Sequence, residues 1–287
     1  MRDLASSAFG RVTAAALLCA GAISAAHAQM SPAQALLNNT FVGSLGGFVV
    51  STDTTARLNG SSSTNPDIDF DQTFGNGSDS TRIRADLLWR ITPAHHLRFL
   101  YFDDRTNRSR VIDRNVQWGD YTFQAGGLVE AETKFRIFEL AYEYAFLRQP
   151  DFELSGTLGV HYMDLKTRLS GNATISNGQG GVSAAGSASK DSSVPLPLPV
   201  VGIRAGWAVA PQIYLEGQGQ FFKANIGDYD GRVTDLRASA TWMFSPGFGV
   251  GLGYNKFITK VDVDKTSFNG AARVGYSGLQ LFVTGTF

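Results

Sequence analysis

Apolar and polar residues alternate along most of this chain. Phe138, Leu140, Tyr142, Tyr144 and Phe146 are separated by Glu139, Ala141, Glu143 and Ala145. Phe152, Leu154, Leu158, Val160 and Tyr162 alternate with Glu153, Ser155, Thr157 and His161. The same rhythm runs through Leu236 to Phe244, Phe248 to Tyr254 and Leu279 to Phe287. A period of two places successive side chains on opposite faces of a strand. The pattern predicts ten strands, about 40–57, 79–92, 96–107, 130–148, 151–168, 194–209, 212–226, 231–244, 248–262 and 270–287. Gly43, Gly46 and Gly47 weaken the pattern in the first strand, so eight or twelve strands stay open.

Two architectures share this alternation. A soluble sandwich turns its apolar face inward, and a membrane barrel turns it outward around a polar lumen. Strands of ~15 residues exceed the soluble mode of about five or six. Short turns fall at Pro93, Pro150, Pro211 and Pro246, and longer polar loops at about 59–77, 108–128, 169–193, 227–232 and 262–270. Short turns at one end and long loops at the other predict an all-β, up-and-down antiparallel transmembrane barrel. An even strand number leaves both termini on the periplasmic side. Trp89, Trp207 and Trp242 each stand three or four residues before a short turn, on the apolar face. That spacing predicts an interfacial aromatic girdle. Phe287 ends the last strand on the same face, as a C-terminal signal for the outer-membrane assembly machinery would.

The N-terminus reads as a cleaved export signal over residues 1–28. Arg2 and Arg11 precede the apolar stretch Val12 to Ala26, and Ala26-His27-Ala28 has the A-x-A form. The apolar stretch is shorter than the ~20 residues a membrane helix needs. Residues 29–39 form a short periplasmic lead into the barrel, 40–287. Charged residues make up 17% of the chain, below the roughly 25% of a soluble domain. The formal net charge is +0, and cleavage would leave 23 basic and 24 acidic side chains. That balance excludes a nucleic-acid partner, which needs a basic surface. The one Cys, Cys19, leaves with the signal, so the mature chain holds neither disulfide nor thiol.

The segment TRIRADLLWRITPAHHLRFLYFDDRTNRSRVIDRNVQWGDYTFQAG, from Thr81, followed by FELAYEYAFL from Phe138, resembles a proteobacterial family of small outer-membrane barrels with no assigned function. The resemblance spans residues 45–165 and fades in the long loops. It implies an outer-membrane barrel in a Gram-negative bacterium, with lipid and lipopolysaccharide as neighbours. It supplies no catalytic residues.

Candidate chemistry lies first in the lumen. The alternation projects Arg84, Asp86, Arg90, Arg98, Glu139, Glu143, Glu153, Arg204, Glu216 and Arg237 inward, mostly in the half nearest the short turns. Five arginines against five acids suit a structural ion-pair network, since a buried unpaired charge costs several kcal/mol. A selective pore is the competing reading. A barrel of ten strands is little wider than the eight-stranded case that side chains fill, which favours the network. His161 beside Glu139 and Glu143 could form a general base. The paired-Asp and Asp-His motifs of ten-stranded outer-membrane proteases are not reproduced, because His161 and Asp164 face opposite sides. His95 and His96 fall in a periplasmic turn. Asp67, Asp69 and Asp71 offer oxygen ligands at a spacing that suits Ca²⁺. Gln72 and Ser78 stand where an EF-hand needs Gly and Glu, so a solvated acidic loop is the better reading. The Gly-, Ser- and Ala-rich stretch 169–193 reads as mobile surface. No cofactor is expected. The sequence thus favours a non-catalytic structural or small-solute barrel, with a surface enzyme (protease or lipid-modifying) or a loop-mediated adhesin as alternatives. Oligomeric state is not legible.

Overall fold

The computed structural model describes residues 30–60, 64–75, 79–176, 182–227, 229–265 and 268–287. The expected export signal and Cys19 lie outside the described residues. Among those described, ten long strands pair antiparallel in a closed ring. In chain order these are β1 (Phe41–Leu58), β3 (Asp79–Arg90), β4 (His95–Val111), β7 (Leu128–Arg148), β8 (Phe152–Ser176), β9 (Val182–Ala210), β10 (Ile213–Ile226), β11 (Tyr229–Ser245), β12 (Phe248–Lys265) and β13 (Phe268–Thr286). Each pairs with its neighbour in this series, and β1 pairs with β13 from Val42↔Thr286 to Leu58↔Gly270. Three short strands stand outside the ring, β2 (Ile68–Asp69), β5 (Val116–Trp118) and β6 (Tyr121–Phe123).

The first strand forms in full despite its glycines. A Cβ on Gly46 would run into the Leu281 carbonyl oxygen and sit 2.6 Å from Phe282 Cβ. Glycine there permits the close approach that seals β1 against β13. The seam ends at Phe287, whose N–H donates to the Phe41 carbonyl at 3.0 Å while Phe41 N–H donates back at 2.8 Å.

One inversion divides the wall at β7 and β8. In β7 the outward residues run Glu130, Glu132, Lys134, Arg136 and then Phe138, Leu140, Tyr142, Tyr144, Phe146. The inward residues run Val129, Ala131, Thr133, Phe135, Ile137 and then Glu139, Ala141, Glu143. β8 repeats the inversion, with Asp164, Lys166 and Arg168 outward beyond Tyr162, and Met163 and Leu165 inward beyond His161. The barrel therefore has two storeys. The storey nearest the short turns is apolar outside and charged inside, as membrane barrels are. The far storey is charged outside and mainly apolar inside, with Arg82 and Asp104 paired at 3.2 Å among its inward residues.

Three loop expectations are corrected here. The stretches 169–193, 227–232 and 262–270 are largely strand. Ladder pairs run from Leu169↔Lys190 to Ser176↔Val182, from Asn225↔Asp230 to Ile226↔Tyr229, and from Asp262↔Ala271 to Lys265↔Phe268. Small polar side chains carry no hydrophobic alternation, yet they meet every backbone requirement of a two-stranded ribbon. The stretches 59–77 and 108–128 do connect strands, but their described residues, 64–75 and 112–127 among them, fold inward as a cap. Helix α2 (Phe70–Phe74), a second helix in chain order after a helix over residues 32–38, packs Phe70 and Phe74 with Ile68, Trp118, Phe123, Val129 and Leu169.

Candidate functional site

The lumen is filled in layers. At the short-turn end lies helix α1 (Pro32–Asn38), the segment read as a plain lead into the barrel. Ala33, Leu36 and Leu37 are buried against Ala208, Tyr214 and Met243 of the wall. Ala33 N–H donates to the Pro211 carbonyl at 2.9 Å. The other end of α1 is held by two arginines. Arg90 Nη2 donates to Leu36 O at 2.6 Å and Nη1 to Asn39 O at 2.9 Å. Arg148 Nη2 donates to Leu37 O at 2.7 Å. Cationic donors at the last turn satisfy carbonyls that the helix leaves open and complement its dipole.

Above α1 lies the charge network. Arg98 Nε donates to Glu143 Oε1 at 2.7 Å, and Arg204 Nε donates to Glu143 Oε2 at 2.8 Å. Arg204 Nη2 reaches Glu153 Oε1 at 2.6 Å. Arg237 bridges Asp86 Oδ1 at 2.8 Å and Glu216 Oε1 at 2.9 Å. Arg84 Nε meets Asp86 Oδ2 at 2.9 Å, and Arg98 Nη2 lies 3.7 Å from Glu216 Oε2. Four arginines and four carboxylates thus join in one balanced cluster, supplied by β3, β4, β7, β8, β9, β10 and β11. A hollow of about 50 Å³, room for a water or two, lies between this cluster and α1.

Two of the ten projected charges stand apart. Arg90 is buried but binds helix carbonyls rather than a carboxylate. Glu139 sits one layer higher, where Gln220 Nε2 donates to its Oε1 at 2.6 Å and His161 Nε2 lies 3.2 Å from its Oε2. Several partners escaped the projection. Asn255 accepts from Arg84 at 3.0 Å and donates to Asp235 at 2.6 Å. Asn255, Asp235 and Gln220 share the inward parity of their strands, so the same alternation marks them once neutral and acidic groups are projected with the rest. Arg148 was hidden by a β-bulge between Ala145 and Leu147, which resets the parity at the end of β7. His96 corrects the turn assignment. It stands on β4, fully buried, with Nδ1 3.8 Å from Glu153 Oε1.

Over the dyad of Glu139 and His161 lies an aromatic floor. Phe257 stacks on His161 with centroids 6.2 Å apart and on Tyr276 at 5.2 Å, and Phe102 stacks on Tyr276 at 4.7 Å. Leu100, Ile137, Met163, Val200 and Val233 complete this core. The loop cap closes above it. The three aspartates of the first loop diverge to separate partners. Asp67 pairs with Arg57 at 3.2 Å, Asp69 caps α2 by accepting from Gln72 N–H at 2.9 Å, and Asp71 takes Arg108 at 2.7 Å. Asp71 also accepts from Thr54 N–H at 3.0 Å, so it latches the cap to β1 and β4 rather than facing solvent alone. Among the described residues no cluster of three or more ligating side chains has metal-site geometry.

On the outer wall, Trp89, Trp207 and Trp242 all point outward at the short-turn end, 38–51% exposed. Trp89 stacks on Phe41 at 6.0 Å, and Phe41 stacks on Phe287 at 5.5 Å. The terminal aromatic is thus part of the same ring of side chains.

No family model matches the chain, and no curated protein does. Solved structures do. The outer membrane protease OmpT from Escherichia coli aligns with a TM-score of 0.54 at 12% identity, over 86% of this chain and 96% of that one. The Pseudomonas putida toluene transporter TodX aligns at 0.37 and 9%, over 90% and 93%. Ail, the attachment invasion locus protein of Yersinia pestis, aligns at 0.32 and 10%, over 84% and 97%. The first of these establishes the fold as that of a bacterial outer-membrane barrel. At this identity it establishes nothing of activity.

Proposed function

We propose that the protein is an integral outer-membrane barrel of a Gram-negative bacterium with a closed, non-catalytic interior, acting as a structural element of the envelope. It is exported through a cleaved signal, inserted by the barrel-assembly machinery, and surrounded by lipid and lipopolysaccharide. The observation that carries this reading is the layered filling of the lumen by helix, charge cluster, aromatic core and loop cap. A porin needs a continuous wet path with donors and acceptors along it. Here the axis crosses Phe102, Phe257 and Tyr276, all stacked. Hydrolytic chemistry needs a base that substrate can reach. The His161 ring is 1% exposed and lies beneath Phe257, which argues against Glu139 and His161 as a working dyad.

Swelling of proteoliposomes in isotonic small sugars tests the reading. Vesicles carrying the refolded barrel should swell no faster than protein-free vesicles. Swelling that accelerates as the sugar becomes smaller would make the protein a diffusion channel.

A further inference from the structure

The outward face of β10 to β13 carries an arrangement that a water-exposed sheet avoids. Lys223 is the ladder partner of Arg232, Arg232 of Lys260, and Lys260 of Arg273. Four cations therefore stand directly opposite one another on four consecutive strands. All four side chains are exposed. Like charges in direct cross-strand register repel. Two carboxylates, Asp230 and Asp262, stand one row further out, opposite each other. Among the described residues the row contains one ion pair, Lys260 to Asp262 at 3.2 Å. Lys256 adds a fifth cation on the same face, beside Leu236. With Asp264, exposed beyond Asp262 on the same face of β12, five cations stand against three acids, an excess of two positive charges.

The row lies directly beyond the apolar belt. Phe221 precedes Lys223 on the outward face of β10, and Tyr254 precedes Lys256 on β12. Within the belt, the same strands are hollowed. Small residues Ala205, Gly217 and Ala238 form the floor of a depression of about 450 Å³ walled by Ile203, Leu236 and Tyr254, which a second of about 540 Å³ continues past Leu215 toward Trp207 at the short-turn end. A Cβ placed on Gly217 would meet nothing within 4 Å. Depressions in a lipid-facing wall lie open to the acyl chains that surround it.

We propose that this wall is a binding site for a phosphorylated, multiply acylated glycolipid of the outer leaflet, with its phosphates on the cationic row and an acyl chain in the depression. The row extends ~14 Å from Lys223 to Arg273 at the ~4.8 Å spacing of strands. One phosphate covers a fraction of that length, whereas two phosphates at the ends of a disaccharide headgroup span it. Arginine and lysine together supply both bidentate and point-charge contacts to phosphate oxygens. The site rests on the reading that the apolar belt lies in a bilayer. Brominated lipid should then quench the outward Trp207 and Trp242, and this control separates a failure of that reading from a failure of the site.

The test uses the full-length mature barrel in phosphatidylcholine nanodiscs, titrated with bis-phosphorylated lipid A. Each basic side chain near an anionic surface contributes about fivefold in affinity. The triple variant Lys223→Gln, Arg232→Gln, Lys260→Gln should therefore bind roughly a hundredfold more weakly, with a shallower salt dependence. These positions are exposed, so the variant keeps its fold, checked by its unfolding midpoint. A second variant, Gly217→Leu with Ala238→Leu, fills the depression with apolar side chains. It should weaken lipid A while leaving inorganic pyrophosphate binding unchanged. Equal affinity of wild type and triple variant would overturn the proposal. So would full competition by pyrophosphate, which lacks acyl chains, or cross-linking of a second copy of the chain through Ala238 in the absence of lipid A.

Discussion

Arg98 on β4 and Glu143 on β7 are joined inside the barrel by a 2.7 Å hydrogen bond, both side chains removed from solvent. The other oxygen of the same carboxylate holds Arg204 at 2.8 Å. Glu143 is therefore the keystone of the cluster, and Arg98 is one of two cations leaning on it. Removing one partner of a buried pair costs about 3–5 kcal/mol, because the remaining charge is stranded. Glu143→Gln removes the carboxylate shared by two guanidiniums, leaving Arg204 on Glu153 and Arg98 only 3.7 Å from Glu216, and should be the more damaging change. Arg98→Met should cost less, since Arg204 still neutralises Glu143. The double variant should recover part of the sum. Urea unfolding in lipid vesicles, followed by Trp fluorescence, measures all three. Equal and small effects, under about 1 kcal/mol, would place water around both groups.

Leu140 and Leu158 are 51% and 60% exposed on the outward face, at mid-belt. Arginine at either position should destabilise the barrel by about 2–4 kcal/mol, the cost of a cation at the bilayer midplane. Ser109→Arg, outward in the charged storey, should be near neutral. A neutral result at Leu140 would put the belt in water.

Arg90 fixes α1 through two carbonyls. Arg90→Met should weaken the helix locally by roughly 1.5–3 kcal/mol, the range for hydrogen bonds from a charged donor. Hydrogen exchange of the amides from Ala33 to Asn39 should then accelerate several-fold, with the barrel strands unchanged. Unaltered exchange would show that apolar burial alone retains the helix.

Trp118 is 2% exposed at the centre of the cap, with its ring 6.0 Å from Phe70. Trp118→Ala should cost about 3–5 kcal/mol by cavity formation. The loss should fall on the cap, opening residues 64–75 and 112–127 to protease while the belt stays intact. Global unfolding at the same midpoint as the cap would show the two storeys to be one cooperative unit.

The ten long strands were legible because burial here enforces a period of two on both storeys. The inversion between them was equally legible in β7, where Arg136 is followed at the next outward position by Phe138. A count of period two alone does not carry it, because such a count registers contrast and not its sign. Arg98 and Glu143 both followed from the alternation as inward charges on neighbouring strands. The roles of Arg90 and Arg148 did not, because their partners are carbonyls of a seven-residue helix whose position depends on tertiary packing. The cap was illegible for a related reason. Phe70, Phe74, Trp118 and Phe123 come from two connections and meet only after the strands have set their register. The ribbon over 169–176 and 182–193 lacked any apolar rhythm to announce it.

Single-channel conductance of the refolded mature barrel in a planar bilayer bears most directly on the closed interior. The layered lumen predicts no resolved openings in the wild type, and none after deletion of residues 29–39, because the charge cluster and the aromatic core remain. A large, stable, ion-selective conductance that shifts when Arg98 is neutralised would contradict it and make transport the function.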